Sequence, residues 1–138
     1  MVKPHFANFS EVIKLVKDEI KNRGFKIEDQ GFVKYEVQDA QKHYAEHFRG
    51  SYENAKDFYK ELEDYITSDK SYGMVVSGEF AITTMRTLIK ELRQTVPAML
   101  GEEPRQTENV LHGSDCEESA EKEIALFNEL KQKFYEVK

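Results

Sequence analysis

The stretch ENVLHGSDCEESAEKEI, residues 108–124, sets a titratable ring, His112, between an apolar pair and a Gly-Ser-Asp turn. Imidazole is a base and a nucleophile near neutral pH without perturbation, its ordinary pKa lying at about 6.5. Ser114 and Asp115 are residue types that cap helices, and the run from Glu118 has helical spacing. His112 is therefore expected beside a helix N-terminus, whose partial positive charge favours an anion. Glu123 then falls in about the third turn of that helix. From there it can fold back on one ring nitrogen, fix the tautomer and leave the other nitrogen nucleophilic. That arrangement suits attack on an incoming phosphate, although the four residues by themselves also describe an ordinary capped loop.

Other chemistry in the chain is thinner. HYAEH puts His43 and His47 four apart on one helical face, but Tyr44 stands where a zinc-protease helix needs glutamate, so surface histidines are the expected reading. No GxxxxGK[ST] or GxGxxG cradle occurs, so any phosphate must be gripped by a few local cations. The formal net charge of −6 works against non-specific binding to nucleic acid or to anionic membranes. Cys116 is the single cysteine, which excludes an internal disulfide and reads as an incidental small residue.

These residues need a scaffold, and 138 residues suit one domain over 1–138. With 39% hydrophobic and 33% charged residues the composition is that of a globular chain, without an apolar run long enough to span a bilayer. No targeting pattern opens it, so a cytoplasmic location is expected. Asn8 and Glu11 in capping-box spacing, then Val12, Ile13, Val16 and Ile20 on one face and Gly24 as a stop, predict a first helix. Val33, Tyr35 and Val37 alternate as in a half-buried strand. DAQKHYAEHF, with Asp39 as N-cap, and NAKDFYKELEDYI predict a helical hairpin; YGMVVSG predicts a strand. EFAITTMRTLIKEL carries Ala81, Met85, Leu88 and Leu92 along one stripe, and TVPAML, with Pro97, reads as an edge strand. Ala120, Ile124, Phe127, Leu130 and Phe134 predict a C-terminal amphipathic helix. The order, short β-α-β-hairpin-β-α-β-α, favours helices over a small sheet.

The stretch NVLHGSDCEESAEKEI resembles the active-site motif of nucleoside diphosphate kinases, Asn-x-x-His-Gly-Ser-Asp followed by Glu-Ser-Ala-Glu-x-Glu-Ile. The similarity extends to MVKPHF, KHYAEH, DFYKEL and YGMVVSGEFAITTMRTLI, and so covers most of the chain. It implies an α+β, ferredoxin-like α/β sandwich with a small antiparallel four-stranded sheet covered by helices. It implies transfer of the γ-phosphate of a nucleoside triphosphate to a nucleoside diphosphate (ATP, GTP, ADP and GDP among them) by a ping-pong route through a phosphohistidine at His112. The alternative is a non-catalytic nucleotide-binding or protein-interaction domain on the same fold. By resemblance Glu123 orients His112, Tyr44 brings a hydroxyl beside it, and Ser114 is hydrogen-bonded near both. Lys3, Arg86 and Arg93 hold phosphates, Asn109 contacts the sugar, the base stacks on Phe58, and Asp115 lies near the water shell of a Mg2+ ion.

The chain departs from the family in places. Two residues precede Lys3, where the family's strand is longer, and His5 and Phe6 replace an Asp-Gly pair. The long family loop between Arg86 and Arg93, which lines the nucleotide and packs between subunits, is nearly absent, so a homo-oligomer with the dimer as its basic unit is expected. GEEPRQTE looks inserted, Glu108 replaces an arginine, and Arg105 competes with Arg93 for the phosphate role. Arg93 is preferred because it directly precedes the expected last strand.

Overall fold

A computed structural model describes residues 1–45, 56–103 and 110–136, with side chains left out at 43–45 and 56–59. Its elements are a 3-10 turn (Phe6–Asn8), α1 (Ser10–Asn22), β1 (Lys26–Val33), α2 (Val37–Ala45), α3 (Lys56–Thr67), β2 (Ser71–Ser77), α4 (Ala81–Met99) and α5 (Glu117–Glu136). β1 and β2 pair antiparallel from Lys26↔Ser77 to Val33↔Ser71, with an irregularity between Ile27 and Asp29. Val2 adds single antiparallel bridges to Tyr72 on one side and Leu111 on the other. The lateral order is thus β1, β2, the Val2 segment and the Leu111 segment. In place of the four-stranded sheet that the resemblance implies, the described residues form one two-stranded ladder flanked by two single bridges.

Helices cover both faces. One apolar cluster joins Val12, Val16 and Ile20 of α1 to Leu88, Leu92 and Val96 of α4 around Val2, Tyr72 and Leu111. The other joins Leu62 and Ile66 of α3 to Leu126, Phe127 and Leu130 of α5 around Val33 and Tyr35. Gly73 permits the second layer to close, since a Cβ there would stand 2.4 Å from the Phe127 ring. No helix among the described residues is long and apolar enough to cross a membrane.

Several local expectations are corrected. TVPAML is not a strand: α4 runs on through Pro97 to Met99, because Val96, fully buried, extends the Leu88 and Leu92 stripe by another turn. Proline near a helix end removes one hydrogen bond, and continued burial outweighs that loss here. The segment that takes the last-strand place is instead at Leu111, directly before His112. The alternation at Val33, Tyr35 and Val37 is not a strand either. β1 ends at Val33, and Val37, 49% exposed, opens α2. The true strand escaped notice because Lys26, Glu28 and Gln30 point to solvent from a sheet edge.

Caps shift too. Asn8 does not cap α1, which follows Phe9 without a side-chain cap; its carboxamide binds Asp69 and Lys70 instead. In α2 the Ala40 N–H reaches the Glu36 carbonyl, so Glu36 is the N-cap and Asp39 reaches back to its N–H at 3.0 Å.

Candidate active site

His112 leaves the sheet at the end of the Leu111 bridge. Its N–H donates to the Met1 carbonyl at 2.9 Å and its carbonyl accepts from Met1 N at 2.7 Å, so the backbone under the ring is held like a strand. Only 13% of the His112 side chain is exposed, and 14% of Glu123. Nε2 is hydrogen-bonded to Glu123 Oε1 from α5, as the spacing along that helix anticipated. A carboxylate oxygen accepts, so Nε2 carries the proton and the lone pair of the neutral ring resides on Nδ1. Burial pushes the His112 pKa down to about 4 against the raising influence of Glu123, with the Met1 ammonium and Lys3 adding to the depression. The ring is neutral at physiological pH.

Three cations converge from two directions. Lys3, 3% exposed, sits in the short segment between β2 and Leu111, with its N–H on the Val110 carbonyl at 2.8 Å. Burial, then Arg93, lowers its pKa to about 7. Arg86 and Arg93 are seven residues apart on α4, two helical turns, and therefore share a face. Arg93 Nη2 donates to the Leu111 carbonyl at 3.3 Å, and its Nε is buried without a hydrogen-bond partner. Burial and Arg86 both lower the Arg93 pKa. Like charges gathered this closely are a receptor for an anion. Arg93 does not directly precede a strand, because α4 continues past it to Met99.

The loop from Gly113 to Cys116 is pinned at both ends. A Cβ on Gly113 would lie 2.4 Å from Ile89, so α4 packs directly on the residue after the histidine. Ser114 lines a cavity of about 80 Å³ together with His112, Glu123 and Tyr35. Asp115 accepts from Arg86 Nη1 at 3.2 Å. Neither Ser114 nor Asp115 caps α5. The Cys116 carbonyl accepts the Ala120 N–H at 2.9 Å and its thiol bonds Ser119, which makes Cys116 the N-cap and lowers its pKa.

Tyr44 and Phe58 side chains, with those of His43 and His47, lie outside the described residues, as do Asn109, Arg105 and Glu108. Two supporting residues were not foreseen. Tyr65, read as core, donates its hydroxyl to the Pro4 carbonyl at 2.5 Å and so braces the turn after Lys3. A phenol on a buried stripe needs a polar partner, and that was the available signal. His5, at φ 71°, holds Glu102 at 2.9 Å where the family has Asp-Gly.

The family model for nucleoside diphosphate kinase matches residues 1–132. The chain belongs to the nucleoside diphosphate kinase family. It is 34% identical over 131 residues to the nucleoside diphosphate kinase of Metallosphaera sedula, covering 92% of this chain and 89% of that one. It is 33% identical over 121 residues to that of Methanocaldococcus jannaschii, covering 85% and 82%. Among solved structures, the halophilic nucleoside diphosphate kinase from Halobacterium salinarum, in complex with CDP, aligns with a TM-score of 0.70 at 28% identity over 91% of this chain and 82% of that one. Membership in the nucleoside diphosphate kinase family accounts for the α+β architecture.

Proposed function

We propose that this chain moves a phosphoryl group from a nucleoside triphosphate to a nucleoside diphosphate by way of His112. The observation that carries the reading is the buried His112–Glu123 pair: burial keeps the ring neutral against the raising influence of Glu123, and Glu123 directs its proton to Nε2. Nδ1 then attacks the γ-phosphorus, an N–P bond forms, the bond to the bridging oxygen breaks and the diphosphate leaves. The second nucleotide reverses these steps, so the kinetics are ping-pong. As the ring becomes cationic on phosphorylation, Glu123 stabilises the charge that burial otherwise penalises.

Phosphoryl transfer asks the protein for an in-line nucleophile and neutralised equatorial oxygens, and little else. Lys3, Arg86 and Arg93 supply the neutralisation. Lys3 is prepared for it: an arriving phosphate opposes the burial that lowers its pKa to about 7 and restores the ammonium charge. Tyr44 and Ser114 assist around His112, Asn109 meets the sugar, and Phe58 stacks on the base. Asp115 fits a Mg2+ ion carried on the phosphates, because that ion keeps most of its water and takes one or two protein carboxylates, and Asp115 is half exposed beside the reactive loop. When bound, Mg2+ neutralises charge on the β- and γ-phosphates.

Incubation with γ-labelled ATP and Mg2+, followed by a GDP chase, tests the reading. The expected adduct is labile to acid, stable to base, discharged by GDP and missing from His112→Ala. Label that survives acid, or persists in His112→Ala, sinks it.

A further inference from the structure

Among the described residues β1 pairs with β2 on one side only, so alternate residues of β1 turn their N–H and C=O groups to the outer edge of the sheet. A row of such groups is a template for a further strand. Here two successive outward N–H groups already have acceptors. The Phe32 N–H donates to the Tyr135 hydroxyl at 3.0 Å, and the Gln30 N–H donates to the Asp29 carboxylate at 2.9 Å. Lys131 Nζ donates to the same Asp29 oxygen. We propose that the last two turns of α5 form a strap over the β1 edge, and that this strap keeps a second copy of the chain from adding its own β1 there.

The strap is set up by the sheet beneath it. Lys131 and Tyr135 are four apart on α5 and so lie on one face of the helix. Gly31 stands under both, since a Cβ there would lie 3.1 Å from Lys131 Cε and 3.2 Å from Tyr135 Cε2. Gly31 is in turn the cross-strand partner of Gly73, the residue under Phe127. A pair of glycines thus lets α5 settle on both strands and carries its C-terminal end out over the edge. Hydrogen bonding from Lys131 lowers the Asp29 pKa against desolvation, with the Gln30 N–H adding to it, so the ion pair is intact at neutral pH. The strap also sits where β1 lacks another defence. The first half of the strand shows solvent the charged side chains of Lys26 and Glu28, which discourage an added strand, whereas residues 30–33 carry no charge. Two copies of that uncharged segment can pair antiparallel about a two-fold axis, one surface complementing itself with no like charges opposed.

Hydrogen–deuterium exchange of the full chain, read at single amides over a concentration series, tests the proposal together with sedimentation velocity. In the parent the Gln30 and Phe32 amides are expected to exchange at rates independent of protein concentration. Tyr135→Phe keeps the ring and removes the acceptor. It is expected to speed exchange at Phe32 about fivefold in dilute solution, the loss of one hydrogen bond. At high concentration that amide is expected to slow again while the sedimenting mass doubles relative to the parent. Gly31→Val displaces Lys131 and Tyr135 together and is expected to do the same at lower concentration; if it does not fold, Tyr135→Phe decides alone. Protection of Phe32 in the parent that grows with concentration means that a second copy already occupies the edge, and overturns the proposal. An unchanged Phe32 rate in Tyr135→Phe overturns it as well. Faster exchange with no added mass in a folded variant shows that the strap is not what keeps copies apart, and has the same consequence.

Discussion

His112 and Asp115 stand three residues apart on one loop, and each ties that loop to a different helix: His112 to α5 through Glu123, Asp115 to α4 through Arg86. The chemistry of the two contacts is alike, a nitrogen donor against a carboxylate, but their surroundings are not. The first pair is 13% and 14% exposed, the second 52% and 47%. In the buried pair little water competes for either partner, so the contact sets a geometry and a protonation state. In the exposed pair water and salt compete throughout, so the contact is exchangeable. One loop thus holds His112, the proposed nucleophile, rigidly and Asp115 loosely, a combination that suits the proposed transfer, in which an atom must stay in line while a charged ligand is admitted.

Breaking the buried pair gives the largest expected effect. Glu123→Ala strands the buried Nε2–H, at a stability cost of about 1–3 kcal/mol. Loss of orientation slows formation of the phosphohistidine on the order of 100-fold. Denaturant unfolding and a rapid-quench single-turnover assay measure the two effects, and a variant with native stability and rate would show that Glu123 does not set the ring.

The protonation state gives a smaller, graded effect. The folded His112 pKa is depressed to about 4 from 6.5, so the unfolded chain binds the extra proton first. The stability contributed by the neutral ring is complete above pH 6.5 and is lost as pH falls from about 6.5 to about 4. The parent should therefore lose more stability across that window than His112→Gln does. Parallel pH profiles for the two proteins would contradict the burial argument.

The exposed pair gives the smallest effect on the fold. Arg86→Ala should change unfolding stability by no more than about 0.5 kcal/mol, as for other surface substitutions. The same change should weaken nucleotide binding, so that stability and affinity separate at this residue. A thermal melt and an ADP titration on one preparation decide it, and a large loss of stability would mean that the pair supports the loop after all.

Much of this was legible in the chain. Helical periodicity located α1, the body of α4 and α5, because an amphipathic stripe over three or more turns is a repeated signal. The His112 and Glu123 pairing followed from spacing along a helix. Less legible were the places where a tertiary neighbour outvotes a local rule. Pro97 reads as a break, yet burial of Val96 carries α4 past it. Asn8 reads as a cap, yet Asp69 and Lys70 claim its carboxamide. β1 was hidden because an edge strand shows solvent its polar residues.

By itself, then, the sequence determined the chemistry at hand: a histidine, a carboxylate at helical distance, a few cations in an acidic chain and a motif specific enough to suggest its family. These depend on residue identity and short-range spacing, which the chain carries explicitly. The tertiary structure decided how that chemistry is conditioned. That Lys3 titrates at about 7, that His112 is neutral, and that Arg86 is held by Asp115 while Arg93 turns to the Leu111 carbonyl all depend on long-range packing. Desolvation and Coulomb interactions between segments tens of residues apart have no local correlate in sequence, and they appear only when the layers close.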